Sequence, residues 1–263
     1  MTTVAEILQY IESVAPAYMK EHWDNVGLLC GSRSTPVTKI LVALDPFEHV
    51  CQEAADWGAE LIVTHHPIIF QPMKSVTDET SIGRGIILLC RHGISAINAH
   101  TNLDCTPGGV NDVLASCLGL QDIQVISPAG TNEDGMPYGL LRCGQTEAQP
   151  LEDFLAAVKE KLDCNGLRYV NVGKPVQKVA VGGGSCASAM LQALDAGCDT
   201  FVTSDIRYNQ FWDAHDLGLN LIDAGHYCTE NPTIPILARK LQERFPEIQV
   251  KISETHKDCM KFY

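Results

Sequence analysis

Ala54-Ala55-Asp56-Trp57-Gly58-Ala59-Glu60-Leu61-Ile62-Val63-Thr64 holds the fold in miniature. A helical stretch ends at a glycine, the chain turns, and an apolar run of strand length follows. Working outward, strand-length apolar runs lie at 40–44 and 94–99, and helical spacing covers about 48–57 and 82–91. Short apolar strands alternating with helices predict an α/β fold, because each helix must cover a face of the sheet that its neighbouring strands build.

The pattern extends to both ends of the chain. Thr3 and Glu6 have capping-box spacing, and Val4, Ile7, Leu8 and Ile11 then recur at helical intervals, so a helix opens the chain and stops before Asp24-Asn25-Val26-Gly27. Beyond a turn-rich loop at 131–137, the spacing predicts a strand near 138–143, a helix over 151–162, strands at 167–172 and 179–181, and a helix over 188–196. A strand at 200–203, a helix over 208–217, a strand at 219–222, a helix over 234–245 and a last strand at 249–252 complete the series.

The second half repeats the first. The opening stretch aligns without gaps on Ala193-Leu194-Asp195-Ala196-Gly197-Cys198-Asp199-Thr200-Phe201-Val202-Thr203, and Gly93-Ile94-Ser95-Ala96-Ile97-Asn98-Ala99 aligns on Gly218-Leu219-Asn220-Leu221-Ile222-Asp223-Ala224. A histidine-bearing loop follows each member of the second pair. The expected architecture is therefore two related α/β lobes facing a central cleft: residues 1–125 completed by 225–263 form the first, and 126–224 the second.

Composition narrows the function classes. With 263 residues, 45% hydrophobic and 19% charged, the chain can bury a large core and is not of a disordered type. A net charge of −13 without a basic run argues against nucleic acid or an anionic membrane as a partner. No targeting segment opens the chain and no apolar run reaches the roughly 18 residues of a spanning helix, so a cytoplasmic location is expected. The 11 cysteines form no CxxC pair and many sit in apolar segments, which favours thiols over disulfides or a thiolate zinc site.

Chemistry concentrates at strand ends. In an open α/β sheet, ligands gather beyond the carboxyl ends of the strands, where the chain leaves the core and aims side chains into a crevice. Three polar clusters fall there: Thr64-His65-His66-Pro67, His100-Thr101-Asn102-Leu103-Asp104 and Gly225-His226-Tyr227-Cys228-Thr229-Glu230. Neutral imidazole suits zinc, iron, cobalt and manganese, and a carboxylate can bridge two cations. His226 and Glu230 are four apart and share a face of one helical turn. Three histidines and two carboxylates, His65, His66, Asp104, His226 and Glu230, make a mixed shell suited to two divalent ions about 3.5–4 Å apart. His100 stands beside them, placed to orient a carboxylate or water and to shuttle protons. Gly182-Gly183-Gly184-Ser185 reads equally as a phosphate cradle or a tight turn. Asp45 and Asp205 either line the cleft or cap the following helices, and Asn25 reads as a local turn residue.

These clusters resemble the dinuclear-metal-centre family of GTP cyclohydrolase I type 2 homologues, also called the NGG-one interacting-factor-three-like family. Asp24-Asn25-Val26-Gly27-Leu28 and Ala43-Leu44-Asp45 belong to the same pattern, which spans nearly the whole chain. The resemblance implies metal binding at His65, His66, Asp104, His226 and Glu230, and a ring-shaped homohexamer. It also implies metal-dependent hydrolysis of GTP, with opening of the guanine imidazole ring and loss of formate. The chain departs from the family pattern at Ser204, where glycine is usual, and at Asn209, where many members have histidine. It also lacks the middle domain that some longer members insert. Phosphoester hydrolysis, metal storage, delivery or sensing without turnover, and a metal-stabilised scaffold are the alternatives.

Overall fold

The Glu6 carboxylate reaches back to the Thr3 amide at 2.8 Å, and the helix this starts, α1 (Val4–Val14), buries Val4, Ile7, Leu8 and Ile11 along one face. In the computed structural model, which describes residues 1–263, the chain continues through β1 (Gly27–Cys30), β2 (Lys39–Ala43), α2 (Glu48–Trp57), β3 (Leu61–Thr64), α3 (Ser81–His92), β4 (Ser95–Asn98) and α4 (Thr101–Cys105). Then come α5 (Val110–Leu118), β5 (Gln121–Ile126), β6 (Gly130–Thr131), β7 (Pro137–Tyr138), β8 (Leu141–Gln149), α6 (Leu151–Lys161), β9 (Arg168–Val170) and β10 (Val176–Val181). Last are α7 (Met190–Asp195), β11 (Thr200–Thr203), α8 (Tyr208–Leu217), β12 (Asn220–Asp223), α9 (His226–Glu230), α10 (Thr233–Arg244) and β13 (Gln249–Ile252).

The chain forms two compact units, Met1–Thr106 with Ile234–Lys257, and Pro107–Thr233 with Asp258–Tyr263. These bounds differ from the lobes drawn at 1–125 with 225–263 and at 126–224. The reason is burial: Leu114, Ala115 and Leu118 of α5 and Cys228 of α9 share one core with Phe154, Val158, Val179 and Ile222. Residues 107–125 and 225–233 therefore pack with the second unit.

Unit 1 holds a five-stranded sheet in the order β1-β4-β3-β2-β13, parallel except where β1 runs antiparallel to β4. All residues of β3 and β4 are buried, as expected for strands covered on both faces. Unit 2 holds a six-stranded sheet, β5-β8-β10-β11-β12-β9, whose centre β10-β11-β12 is parallel. Its outer pairs, β5 with β8, β8 with β10 and β12 with β9, are antiparallel.

The internal repeat is visible in hydrogen bonds. Glu60 accepts from the amides of Thr38 and Lys39, and Lys39 Nζ donates to the Trp57 carbonyl at 2.9 Å. In unit 2, Asp199 accepts from the amides of Gln177 and Lys178, and Lys178 Nζ donates to the Ala196 carbonyl at 2.6 Å. Each acid follows the glycine that ends a helix in a left-handed turn, Gly58 at φ +73° and Gly197 at φ +76°. One staple thus fixes helix, turn and two parallel strands in each unit. All 11 cysteines are thiols, and no helix is long and apolar enough to cross a membrane.

Candidate metal centre

In unit 1, β3 and β4 are adjacent and parallel, so the loops leaving their carboxyl ends emerge side by side. That register brings His65, His66 and His100 together: one donor nitrogen of each lies within 4.8 Å of the other two. The ring centroids are 4.8 Å apart for His65 and His66, and 5.2 and 5.3 Å from each of these to His100. Asp104, carried on α4, joins them with Oδ1 at 3.5 Å from His65 Nε2. His65 and Asp104 are buried, at 1% and 7% exposure.

In unit 2, β12 ends at Asp223 and α9 begins at His226. The short helix sets His226 Nε2 3.1 Å from Glu230 Oε2, the contact expected for residues four apart on one turn. Glu230 is 3% exposed, and a buried carboxylate requires a positive partner or strong donors.

Every histidine in these groups is held through Nδ1. His65 Nδ1 meets the Ala99 carbonyl at 2.9 Å, His66 Nδ1 meets Asp45 at 2.7 Å, His100 Nδ1 meets Asp24 at 2.8 Å, and His226 Nδ1 meets Asp205 at 2.7 Å. A carbonyl only accepts, so His65 Nδ1 carries its proton and Nε2 presents a lone pair. Carboxylates at the other three favour the same tautomer. Anchoring one ring nitrogen on an acceptor while the other faces a cation is the usual support for metal-binding imidazole. The donor set, imidazole Nε2 plus carboxylate oxygen, fits a borderline divalent cation.

The supporting acids are tuned to stay ionised. Burial pushes the Asp24 carboxyl up, but hydrogen bonds from His100 and Thr101 outweigh it and bring its pKa to about 2. Asp45 is likewise buried, yet bonds from His256 and His66 hold it well below the usual carboxylate range. The bond from His226 lowers Asp205. For His226 itself, burial opposes the charge, but Asp205 and Glu230 together raise the imidazole to about 11. Two carboxylates thus hold a cation at His226, and a divalent ion would take the place of that proton.

Of the residues picked from sequence, His65, His66, His100 and Asp104 come together within unit 1, and His226 pairs with Glu230 within unit 2. Asp45 and Asp205 serve as supports of the histidines, not as helix caps. Asn25 is more than a local turn residue: its Nδ2 donates to the Ile69 carbonyl at 2.7 Å, tying its loop to the one after β3. Asp24, which the sequence offered only as part of the family pattern, and His256, which it did not single out, have partners 76 and 211 residues away.

The glycine run is a structural turn. The amides of Gly182, Gly183 and Gly184 donate to the Val202 carbonyl, Asn111 Oδ1 and Thr229 Oγ1, which leaves them engaged and unsuited to cradle a phosphate. Gly184 has φ +61°, and a Cβ there would lie 2.2 Å from Glu230 Oε1 and 3.1 Å from His226 Nε2. Only glycine lets this backbone approach the His226 and Glu230 side chains.

A mixed α/β fold with a histidine and carboxylate cluster at its strand ends defines a class of candidate metal-binding proteins. The chain belongs within it to the Duf34/NIF3 (NGG1p interacting factor 3) family, whose model matches residues 2–259. It is 34% identical over 260 residues to a Clostridium perfringens protein named GTP cyclohydrolase 1 type 2 homolog, covering 98% of both chains. Its fold matches a Staphylococcus aureus hypothetical protein with a TM-score of 0.92 at 30% identity, over 99% of each chain. It also matches a Bacillus cereus protein related to NIF3 with a TM-score of 0.93 at 26% identity, over 100% of this chain and 99% of that one.

Proposed function

We propose that His65, His66 and Asp104 of unit 1, with His226 and Glu230 of unit 2, hold two divalent metal ions, and that the protein is a metal-dependent hydrolase of the GTP cyclohydrolase type 2 kind. The observation that carries the metal reading is the common anchoring of the histidines through Nδ1. Coordination arithmetic supports joining the two donor sets. Zinc takes four ligands and iron or manganese up to six, and a zinc site usually draws at least three of its ligands from protein, one more than the His226 and Glu230 pair offers. Zinc, iron, manganese and cobalt all suit the set.

Bound ions of this kind lower the pKa of water toward neutrality and polarise the centre it attacks. The chain's own residues do the rest. His65, His66 and His226 are held in direction by Ala99, Asp45 and Asp205, so these side chains are oriented before substrate arrives. His100 keeps a proton at Nδ1 against Asp24 and can accept or release one at Nε2, the role of a general acid or base. Trp23 and Phe70, 50% and 43% exposed, have ring centroids 5.7 Å apart, and each lies 6.1 Å from His100. Large aromatic faces left in water beside the cluster suit a flat heteroaromatic ring such as guanine.

The homologue names support GTP as substrate, with opening of the imidazole ring and release of formate. A homohexamer and a cytoplasmic location complete the reading. The test is formate release from GTP by protein loaded in turn with zinc, manganese and iron. Asp104→Asn is expected to lose at least about a hundredfold in kcat with a small change in melting temperature, and His100→Gln about 10²–10⁴-fold. Full metal loading with no release from GTP or phosphoesters would replace the hydrolase with a protein that stores or delivers metal.

A further inference from the structure

Asp45 is gripped from both sides. Its Oδ1 lies 2.7 Å from His66 Nδ1, and its Oδ2 lies 2.8 Å from His256 Nε2. The three residues follow the carboxyl ends of β3, β2 and β13, neighbours in that order in the unit 1 sheet, so the line His66, Asp45, His256 crosses three strand ends. His256 is 8% exposed, and the Phe47 ring stacks on it at 5.8 Å with a 30° tilt.

The segment carrying His256 is tied down by a dense set of hydrogen bonds. The Glu53 carboxylate accepts from Ser253 Oγ, the Glu254 amide, and both the amide and Oγ1 of Thr255. The Ser253 amide donates to the Val42 carbonyl at 2.8 Å, and the His256 amide donates to Ser253 Oγ at 3.1 Å. All of these contacts lie within unit 1 and set the imidazole of His256 against one oxygen of Asp45.

A carboxylate bonded through one oxygen can swing about its Cβ–Cγ bond and carry its partner with it. Bonded through both, its plane is fixed. We infer that His256 is a positioning residue for metal binding: by locking Asp45 it fixes the direction in which His66 presents Nε2, and the strap at 253–257 is part of the metal site's support. This rests on the reading of His66 as a metal ligand. A partner bonded directly to a metal-ligating histidine, as Asp45 is to His66, typically carries a 10–100-fold effect on affinity, and His256, one hydrogen bond further out, is expected at the lower end of that range.

The experiment titrates metal-stripped wild type, His256→Ala, His256→Gln and Glu53→Gln with zinc against a chromophoric chelator, and records the visible absorption of the cobalt-loaded forms. The expected result is two equivalents in the wild type, with one weakened about tenfold in His256→Ala and its cobalt band altered. His256→Gln keeps an N–H donor for Asp45 and is expected to recover most of that loss. Glu53→Gln, which loosens the strap without touching Asp45, should shift affinity in the same direction by less. Wild-type affinity and cobalt spectrum in His256→Ala, whatever its melting temperature, would make His256 a fold staple and overturn the inference alone. No metal in the wild type would overturn the underlying metal reading first. Should His256→Ala fail to fold, unchanged binding in both His256→Gln and Glu53→Gln is the expectation for a mere staple, and weakened binding in Glu53→Gln upholds the strap.

Discussion

Lys39, Trp57 and Glu60 in unit 1 and Lys178, Ala196 and Asp199 in unit 2 make the same staple, yet the strand ends that the staples support carry different chemistry. Beyond β3, unit 1 has His65 and His66. Beyond the matching β11, unit 2 has Ser204 and Asp205, and Ser204 Oγ donates to the Gly184 carbonyl at 2.7 Å. Beyond β4 lies His100, anchored on Asp24, and beyond β12 lies His226, anchored on Asp205. The two units share the scaffold where it holds strands in register, and they differ where side chains leave the core. Unit 1 concentrates imidazoles. Unit 2 supplies one imidazole flanked by two carboxylates.

The comparison breaks most sharply at Gly184. Gly184→Ala places a Cβ on the Glu230 carboxylate at a positive φ, so it is expected to cost unit 2 about 1–3 kcal/mol from backbone strain, plus the displacement of Glu230. Urea unfolding should show the lower midpoint, and metal titration should show the loss of one equivalent. A variant with wild-type stability and full metal loading would mean that the close approach is unimportant.

A smaller effect is expected at the two staples. Glu60→Ala and Asp199→Ala each remove an acceptor of two backbone amides, and each is expected to destabilise by about 1.5–3 kcal/mol, the range for hydrogen bonds to a charged group. Similar values from chemical denaturation would confirm equivalent roles. One silent site would end the equivalence.

The smallest expected effect belongs to the unit 1 strap. Burial raises the Glu53 carboxyl, but its bonds to Glu254, Ser253 and Thr255 bring the pKa to about 2 from an ordinary 4.5. The folded pKa is the lower one, so this stability is complete above about pH 4.5 and fades as pH falls toward 2. Thermal melts of wild type should therefore lose more between those pH values than melts of Glu53→Gln. Parallel curves would show that the strap bonds add nothing.

Much of this was legible in the chain. The strands over Leu61–Thr64, Thr200–Thr203 and Gln249–Ile252 and the helix over Tyr208–Leu217 fall where apolar period and turn residues place them. Other elements were hidden for physical reasons. Strand β1 is only half buried along its length and follows a turn, and β5 is mostly exposed, so neither carries a strong apolar run. Helix α5 follows Gly108-Gly109 directly and belongs to the core of unit 2, which the lobe boundary at 125 concealed. The histidines and acids of the candidate site stood out because they cluster at strand ends. Of their supports, Asp45 and Asp205 also lie at strand ends, whereas Asp24 and His256 reach His100 and Asp45 only through the folded sheet, and the amides of the glycine run find their acceptors only there.

The most direct test of the account is metal content per chain, by elemental mass spectrometry, on protein purified without chelator, beside His66→Ala and His226→Ala. The expected result is about two equivalents in the wild type, falling in each variant, because each removes one of the five proposed donors. Essentially no metal in the wild type after reloading with zinc, manganese or iron would contradict it and leave the anchored histidines as features of the fold alone.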